Sequence, residues 1–150
     1  MTADLRVEIL RAARGWIGTP YRHQSSVRRQ GTDCLGLLRG VWREVLGQEP
    51  EAVPSYTADW SEPSGQERLW RAAGRHLRPV AFAPEAAGDV VLFRMRSRSV
   101  AKHLAILGDG SQGFKTIIHA YSGAGVVETA LTDAWARRIV AQFEFPDRRG

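Results

Sequence analysis

One cysteine and two histidines carry most of the chemistry this sequence can offer. Cys34 is the only cysteine among 150 residues and lies in the stretch "GTDCLGLLRGVW". Thr32 or Asp33 is a suitable helix N-cap, which sets Cys34 in the first turn of the helix that follows. Unpaired backbone N–H groups and the helix dipole stabilise negative charge there, and a thiolate is the reactive form of cysteine. The same position also suits a buried cysteine acting as a small apolar residue. Asp33 opposes thiolate formation by its charge unless its carboxylate is engaged as the cap.

His103 heads the apolar run "HLAIL", and His119 interrupts "TIIHAY" sixteen residues later. That separation suits neighbouring antiparallel strands joined through "GDGSQGFK", with both imidazoles on one face. A cysteine nucleophile needs a base within hydrogen-bond reach, and the base needs a third group to hold its ring. Cys34, His103 and His119 together can meet that requirement. Zinc is the competing use, with Asp109 as a carboxylate ligand, but no pair has the short spacing usual in zinc sites. The reading therefore expects no metal and no other cofactor. His76 falls at the negative pole of a predicted helix, a structural placement. His23, in the loop before Cys34, either lines the site or faces solvent.

Positioning these residues requires helices first and strands afterwards. Residues 4–17 read as a helix with Leu5, Ile9, Ala12, Ala13, Trp16 and Ile17 at helical spacing, ended by Gly18-Thr19-Pro20. A polar loop leads to a second helix from about Cys34 to Leu46, stopped by Gly47. Its apolar residues cover half the circumference; Gly36 and Gly40 share the other half and admit another backbone. Residues 48–64 read as a long surface connection that either covers the cleft as a lid or wraps the surface. "SGQE" (64–67) has capping-box form before a third helix, closed by Pro79. Five short β-branched or aromatic runs follow: "DVVLFRM", "KHLAILG", "KTIIHAY", "GVVETAL" and "RRIVAQFEF". The fold class is α+β, N-terminal helices packed on a C-terminal antiparallel sheet, in one domain over residues 1–150.

The bulk properties bound the partners. A formal charge of +5 and a pI near 10.1 favour anionic ones. No aromatic-basic motif or helix-turn-helix supports nucleic acid, which is not expected as a partner. No run reaches the roughly 18 apolar residues of a membrane span. "MTADLRVEIL" lacks the apolar core of a signal peptide, so the expectation is cytoplasmic synthesis without one.

"GTPYRHQ", "TDCLGLLRGVW", "GDVVLFR", "KHLAIL" and "IIHAY", in this order, resemble the NlpC and p-sixty cell-wall peptidases. More narrowly, they resemble the stand-alone version encoded with phage tails and gene transfer agents. The resemblance covers nearly the whole chain and implies a papain-like fold. It also implies Cys34 as nucleophile, His103 as general base and His119 as the residue orienting His103; relatives use histidine, asparagine or glutamine there. Tyr21 matches the tyrosine of a "PY" segment whose hydroxyl helps bind the oxyanion, with the Cys34 amide as another donor. Many relatives carry Gly-Gly shortly after that tyrosine, where His23 and Gln24 stand here.

The implied substrate is the stem peptide of peptidoglycan, cut between γ-D-glutamate and a diamino acid, and the implied partners are tail or gene-transfer-agent proteins. The implied site of action is the cell envelope, reached as part of a phage-like particle. An amidase, an acyltransferase or a non-catalytic tail adaptor would use the same fold. Arg22, Arg28, Arg29, Arg94, Arg96, Arg98 and Lys102 are expected to rim the cleft, favour thiolate and attract carboxylates.

Overall fold

The computed structural model describes residues 1–51, 56 and 65–147. Thr2 opens α1 (Ala3–Gly15) by accepting a hydrogen bond from the Leu5 amide at 3.1 Å. Of the predicted stripe, Leu5, Ile9, Ala12, Ala13 and Trp16 are buried, but Ile17, past the helix end at Gly15, is exposed. Gly18 then turns the chain at φ 93°, a conformation that favours glycine. The polar loop expected next contains a small hairpin, β1 (Ser26–Val27) with β2 (Gly31–Thr32). Two-residue strands are too short to show alternation in a sequence.

α2 (Cys34–Val45) begins and ends where the sequence places it, with Gly47 in the left-handed region. Leu37 and Val41 are buried, and α1 packs beside the helix. The two glycines are buried too, although they were expected on the charged half. A Cβ at Gly36 would lie 2.0 Å from the Ser25 carbonyl oxygen, so one backbone does come close as expected. Gly40 instead admits a side chain, the Trp16 indole, whose nearest carbon would lie 2.0 Å from an added Cβ. The indole N–H donates to Glu44 at 2.9 Å, which locks α1 to α2.

Of the 48–64 connection, residues 52–55 and 57–64 lie outside the described residues, as does the Ser64 half of the capping box. α3 (Arg68–His76) has Glu67 at its N-cap, but the carboxylate makes no cap bond. It accepts instead from the Ala101 amide and from Arg94, both at 2.7 Å. Tertiary partners win over the local cap. Pro79 is not merely a helix stop, because it lies in β3 (Arg78–Val80), an edge strand where a missing N–H is tolerated.

The five predicted strands are β4 (Val90–Phe93), β5 (His103–Leu107), β6 (Thr116–Tyr121), β7 (Gly125–Ala130) and β8 (Ile139–Glu144). They form an antiparallel sheet of order β3-β8-β4-β5-β6-β7. Period-two alternation splits the strand residues between two clusters. Val90, Leu92, Leu104, Ile106, Ile118 and Phe143 pack with the apolar residues of α1 and α2. Val91, Phe93, Ala105, Leu107 and Ile117 form a smaller cluster, against which Trp135 packs. Trp135 lies on α4 (Asp133–Ala136), a single turn capped by Thr132 and too short for a periodic signal. The architecture is helices on a curled antiparallel sheet, the α+β class expected.

Gly36→Ala should destabilise the fold by about 1–3 kcal/mol, because the added methyl overlaps backbone and the Thr32 hydroxyl. Gly74→Ala, in α3 with nothing within 4 Å of the new methyl, should be neutral or stabilise by up to about 1 kcal/mol. Urea denaturation of the two variants checks the pair; equal effects would refute the packing assignment at Gly36.

Candidate active site

The nucleophile candidate is held by its neighbour. Asp33 caps α2: one carboxylate oxygen accepts from the Gly36 amide at 2.8 Å. The other accepts from the Gln24 amide at 2.8 Å and from the Tyr56 hydroxyl. The carboxylate is thus engaged as a cap, and Cys34 is the first residue of the helix. Gln24 takes φ 64°, a left-handed conformation that glycine adopts more readily. Its amide bond to Asp33 and its side-chain bond to the Tyr56 carbonyl at 2.5 Å hold it there.

The thiol is 9% exposed and rests on the start of β5, with Sγ 3.8 Å from the carbonyl oxygen of Lys102. Burial pushes the thiol up to about 12, and the Asp33 charge adds to this. The amides of Leu104, Leu35 and Cys34 pull in the opposite direction without prevailing. No basic side chain is among the largest contributors to that balance. The expected basic rim is largely elsewhere. Arg28 donates to the Gly15 carbonyl and faces Glu44, Arg94 pairs with Glu67, and Arg22 covers Gly31. Of the seven cations named from the sequence, Lys102 alone lines the cleft among the described residues.

His103 and His119 meet as the strand pairing implies. β5 and β6 pair with Ile106 opposite Ile118, a register that puts the two imidazoles on one face as diagonal neighbours. His103 Nε2 lies 2.8 Å from His119 Nδ1, and His119 Nε2 lies 3.1 Å from the Thr129 hydroxyl on β7. Nδ1 is thus the His103 nitrogen that His119 does not engage. With Nδ1 as acceptor, His103 Nε2–H donates to His119, and His119 Nε2–H donates to Thr129. Burial pushes His103 down to about 3, with His119 adding to it, and burial pushes His119 down to about 4. At neutral pH the resting site holds a neutral thiol and two neutral imidazoles. Trp135 packs on both rings, at centroid distances of 5.6 Å to His103 and 5.2 Å to His119.

Tyr21, His23, Cys34, Tyr56, Lys102 and His103 are among the residues around one cleft of about 160 Å³. Tyr21 is carried there by a strand-like bridge to Thr32, and by the preceding Gly18–Thr19 segment, which exchanges hydrogen bonds with Val126 of β7. Burial raises its phenol, with Cys34 and Asp33 contributing by charge. His23 lines the cleft, its Nε2 3.0 Å from the Tyr56 carbonyl. His76 does not line the cleft; its Nε2 lies 3.1 Å from a Glu51 carboxylate oxygen. Asp109, the carboxylate considered for zinc, is bound by Arg14 at 2.8 Å. No three metal-ligating side chains converge among the described residues. A second, more apolar cavity of about 170 Å³ adjoins Tyr56 and is lined by Leu38, Trp42 and Ala72, with no nucleophile.

Three contributors were missed from the sequence. Thr129 reads as an ordinary outward strand position, Trp135 sits in a turn too short to detect, and Tyr56 falls within the 48–64 connection.

Residues 18–144 match the profile of the NlpC/P60 family. The chain belongs to that family of cysteine peptidases. It is 29% identical over 131 residues to murein DD-endopeptidase MepH of Escherichia coli (strain K12), covering 83% of this chain and 40% of that protein. It is 31% identical over 105 residues to the gamma-DL-glutamyl hydrolase of Bacillus subtilis (strain 168), covering 70% of this chain and 21% of that one. The chain thus spans less than half the length of both relatives. Among solved NlpC/P60 folds, the domain of the peptidoglycan hydrolase SagA superposes with a TM-score of 0.63 at 20% identity. That match covers 93% of this chain and 98% of the other. A lipoprotein-like family member from Staphylococcus aureus gives a TM-score of 0.60 at 17% identity, covering 99% of this chain and 43% of its own.

Neutral burial of both histidines makes the fold acid-sensitive. The unfolded histidines bind protons near pH 6.5, whereas the native ones resist until about 3 and about 4. The unfolded state therefore holds more protons between these limits. Stability should be flat from about pH 7 to about 8 and fall as pH drops from 6.5 towards 4. Melting temperatures across that range check this, and a His103→Asn/His119→Asn variant should show a flatter profile.

Proposed function

We propose that this chain is a cysteine endopeptidase that hydrolyses peptidoglycan stem peptides at a γ-D-glutamyl–diamino acid bond. The observation that carries the reading is a single cleft holding Cys34 at a capped helix start, the Tyr21 phenol and the His103 imidazole, with His103 backed by His119. Similarity to a murein endopeptidase and a γ-glutamyl hydrolase supports the substrate class.

In this reading His103 Nδ1 takes the thiol proton as sulfur attacks the scissile carbonyl. The oxyanion of the tetrahedral adduct is stabilised by the Cys34 amide, which opens α2 without a helical carbonyl partner, and by the Tyr21 hydroxyl. Collapse returns the proton from His103 to the departing amine and leaves a thioester on Cys34. Water, deprotonated by His103, attacks that thioester and restores the thiol. Both partners start neutral, so substrate binding and proton transfer must create the charge pair together. His119 keeps Nε2–H of His103 donating and thereby leaves Nδ1 free to act.

We further propose that the protein works as a component of a phage-like tail or gene transfer agent and reaches the envelope in that particle. The ordered motifs from "GTPYRHQ" to "IIHAY" support this, since they resemble the stand-alone tail-encoded version. Proteomics of purified tail particles tests that part.

Mass spectrometry of peptidoglycan treated with wild-type protein should show new amino termini within the stem peptide. Released lactyl-linked glycan would instead assign an amidase. Cys34→Ala should lose at least about a thousandfold in rate while keeping its melting temperature. His119→Ala should lose roughly tenfold to a hundredfold, with His119→Asn recovering part of it. Undiminished hydrolysis by Cys34→Ala would sink the assignment.

A further inference from the structure

A shallow groove of about 510 Å³ adjoins the catalytic cleft, with Met95 lining both. Arg94, Arg137 and Arg138 line it together with Ala134, and no aspartate or glutamate is among its described lining residues. Two of its cations differ from several others in the chain. Arg6, Arg14, Arg39, Arg43, Arg75 and Arg78 are each held by a carboxylate. Arg94 is likewise held by Glu67. Among the described residues Arg138 donates only to the carbonyls of Ala134 at 2.8 Å and Met95 at 3.4 Å, contacts that orient its guanidinium without neutralising it. The Arg137 side chain is exposed and has no carboxylate partner among the described residues, although Asp133 precedes it by one helical turn. Two guanidinium groups with no carboxylate partner among the described residues, one of them fixed, thus stand beside the cleft. Their fork geometry matches carboxylate oxygens.

We propose that this groove is an anion subsite that holds a carboxylate of the polymeric substrate away from the scissile bond. It rests on the peptidase reading for the identity of the polymer, but not for the binding itself. A chain bearing a carboxylate on successive repeats places one such group over Arg137 and Arg138 while another repeat occupies the cleft beside Cys34. The subsite contributes to capture and leaves the bond-breaking step untouched. Its interaction is exposed and weakens with salt.

Binding of poly-L-glutamate to the Cys34→Ala protein, followed by fluorescence anisotropy from 20 to 500 mM salt (an experimental range of roughly one to two decades), tests the subsite without activity. Arg137→Ala, which removes no internal bond, should weaken binding about threefold. Arg137→Ala/Arg138→Ala should weaken it by roughly tenfold and flatten the salt dependence. Arg71→Ala, an exposed arginine on α3, is the control and should change nothing. On polymeric peptidoglycan the double variant should raise KM at unchanged kcat, while a single free stem peptide is cut as by the wild type. Equal weakening by the Arg71 control overturns the subsite, as does tighter binding of polyphosphate or duplex DNA than of poly-L-glutamate. Failure of the wild type to cut any peptidoglycan would remove the peptidase reading and still leave the anisotropy result to decide the groove.

Discussion

The Asp33 carboxylate is the joint on which the rest of the site depends. It lies next to Cys34, is almost fully buried, and uses both oxygens at once. One holds the start of α2 through Gly36, and the other gathers the Gln24 amide and the Tyr56 hydroxyl. A helix terminus presents several N–H groups with no internal partner, and a carboxylate there satisfies them while matching the dipole. The position of Cys34 at the end of a helix is therefore a consequence of a cap, and the walls of the cleft are tied to the same atoms. The arrangement has an electrostatic cost, since the charge that fixes the helix also opposes ionisation of the adjacent sulfur.

That cost shapes the chemistry. Burial acts in opposite directions on the two kinds of group, raising the thiol and lowering the imidazoles, and so it disfavours the ion pair on both sides. What the fold supplies instead is orientation. His119 occupies one nitrogen of His103, Thr129 terminates the chain of hydrogen bonds, and Trp135 packs against both rings. An imidazolium formed during reaction would sit beside an indole face, which attracts cations, and sulfur would face three backbone amides. Charges absent at rest have their stabilising partners already in place.

The arginines divide by the same logic of pairing. Several are consumed in holding elements together: Arg14 ties α1 to the β5–β6 turn and to Glu128 of β7, and Arg6 ties α1 to Asp89 ahead of β4. A net charge of +5 means that some must remain unpaired, and their location matters more than their number. The polar loop arginines before Cys34 do not reach the cleft among the described residues. Those around α4 stand beside it in a groove of their own.

Local pattern determined a good deal. A cap at Thr32 or Asp33, the extent of α2, the five longer strands and the shared face of His103 and His119 all follow from side-chain periodicity and short-range hydrogen bonding, which act between residues close in the chain. Other features depended on residues far apart meeting. Glu67 leaves its helix to bind Ala101 and Arg94, Gly40 receives an indole rather than a backbone, and Thr129 and Trp135 complete a site begun at Cys34. The direction of ionisation at the sulfur was likewise undecided in the sequence, because a helix start and nearby arginines suggested a thiolate. Burial reversed that, and burial is a property of the packed chain alone: desolvation depends on what surrounds an atom in three dimensions.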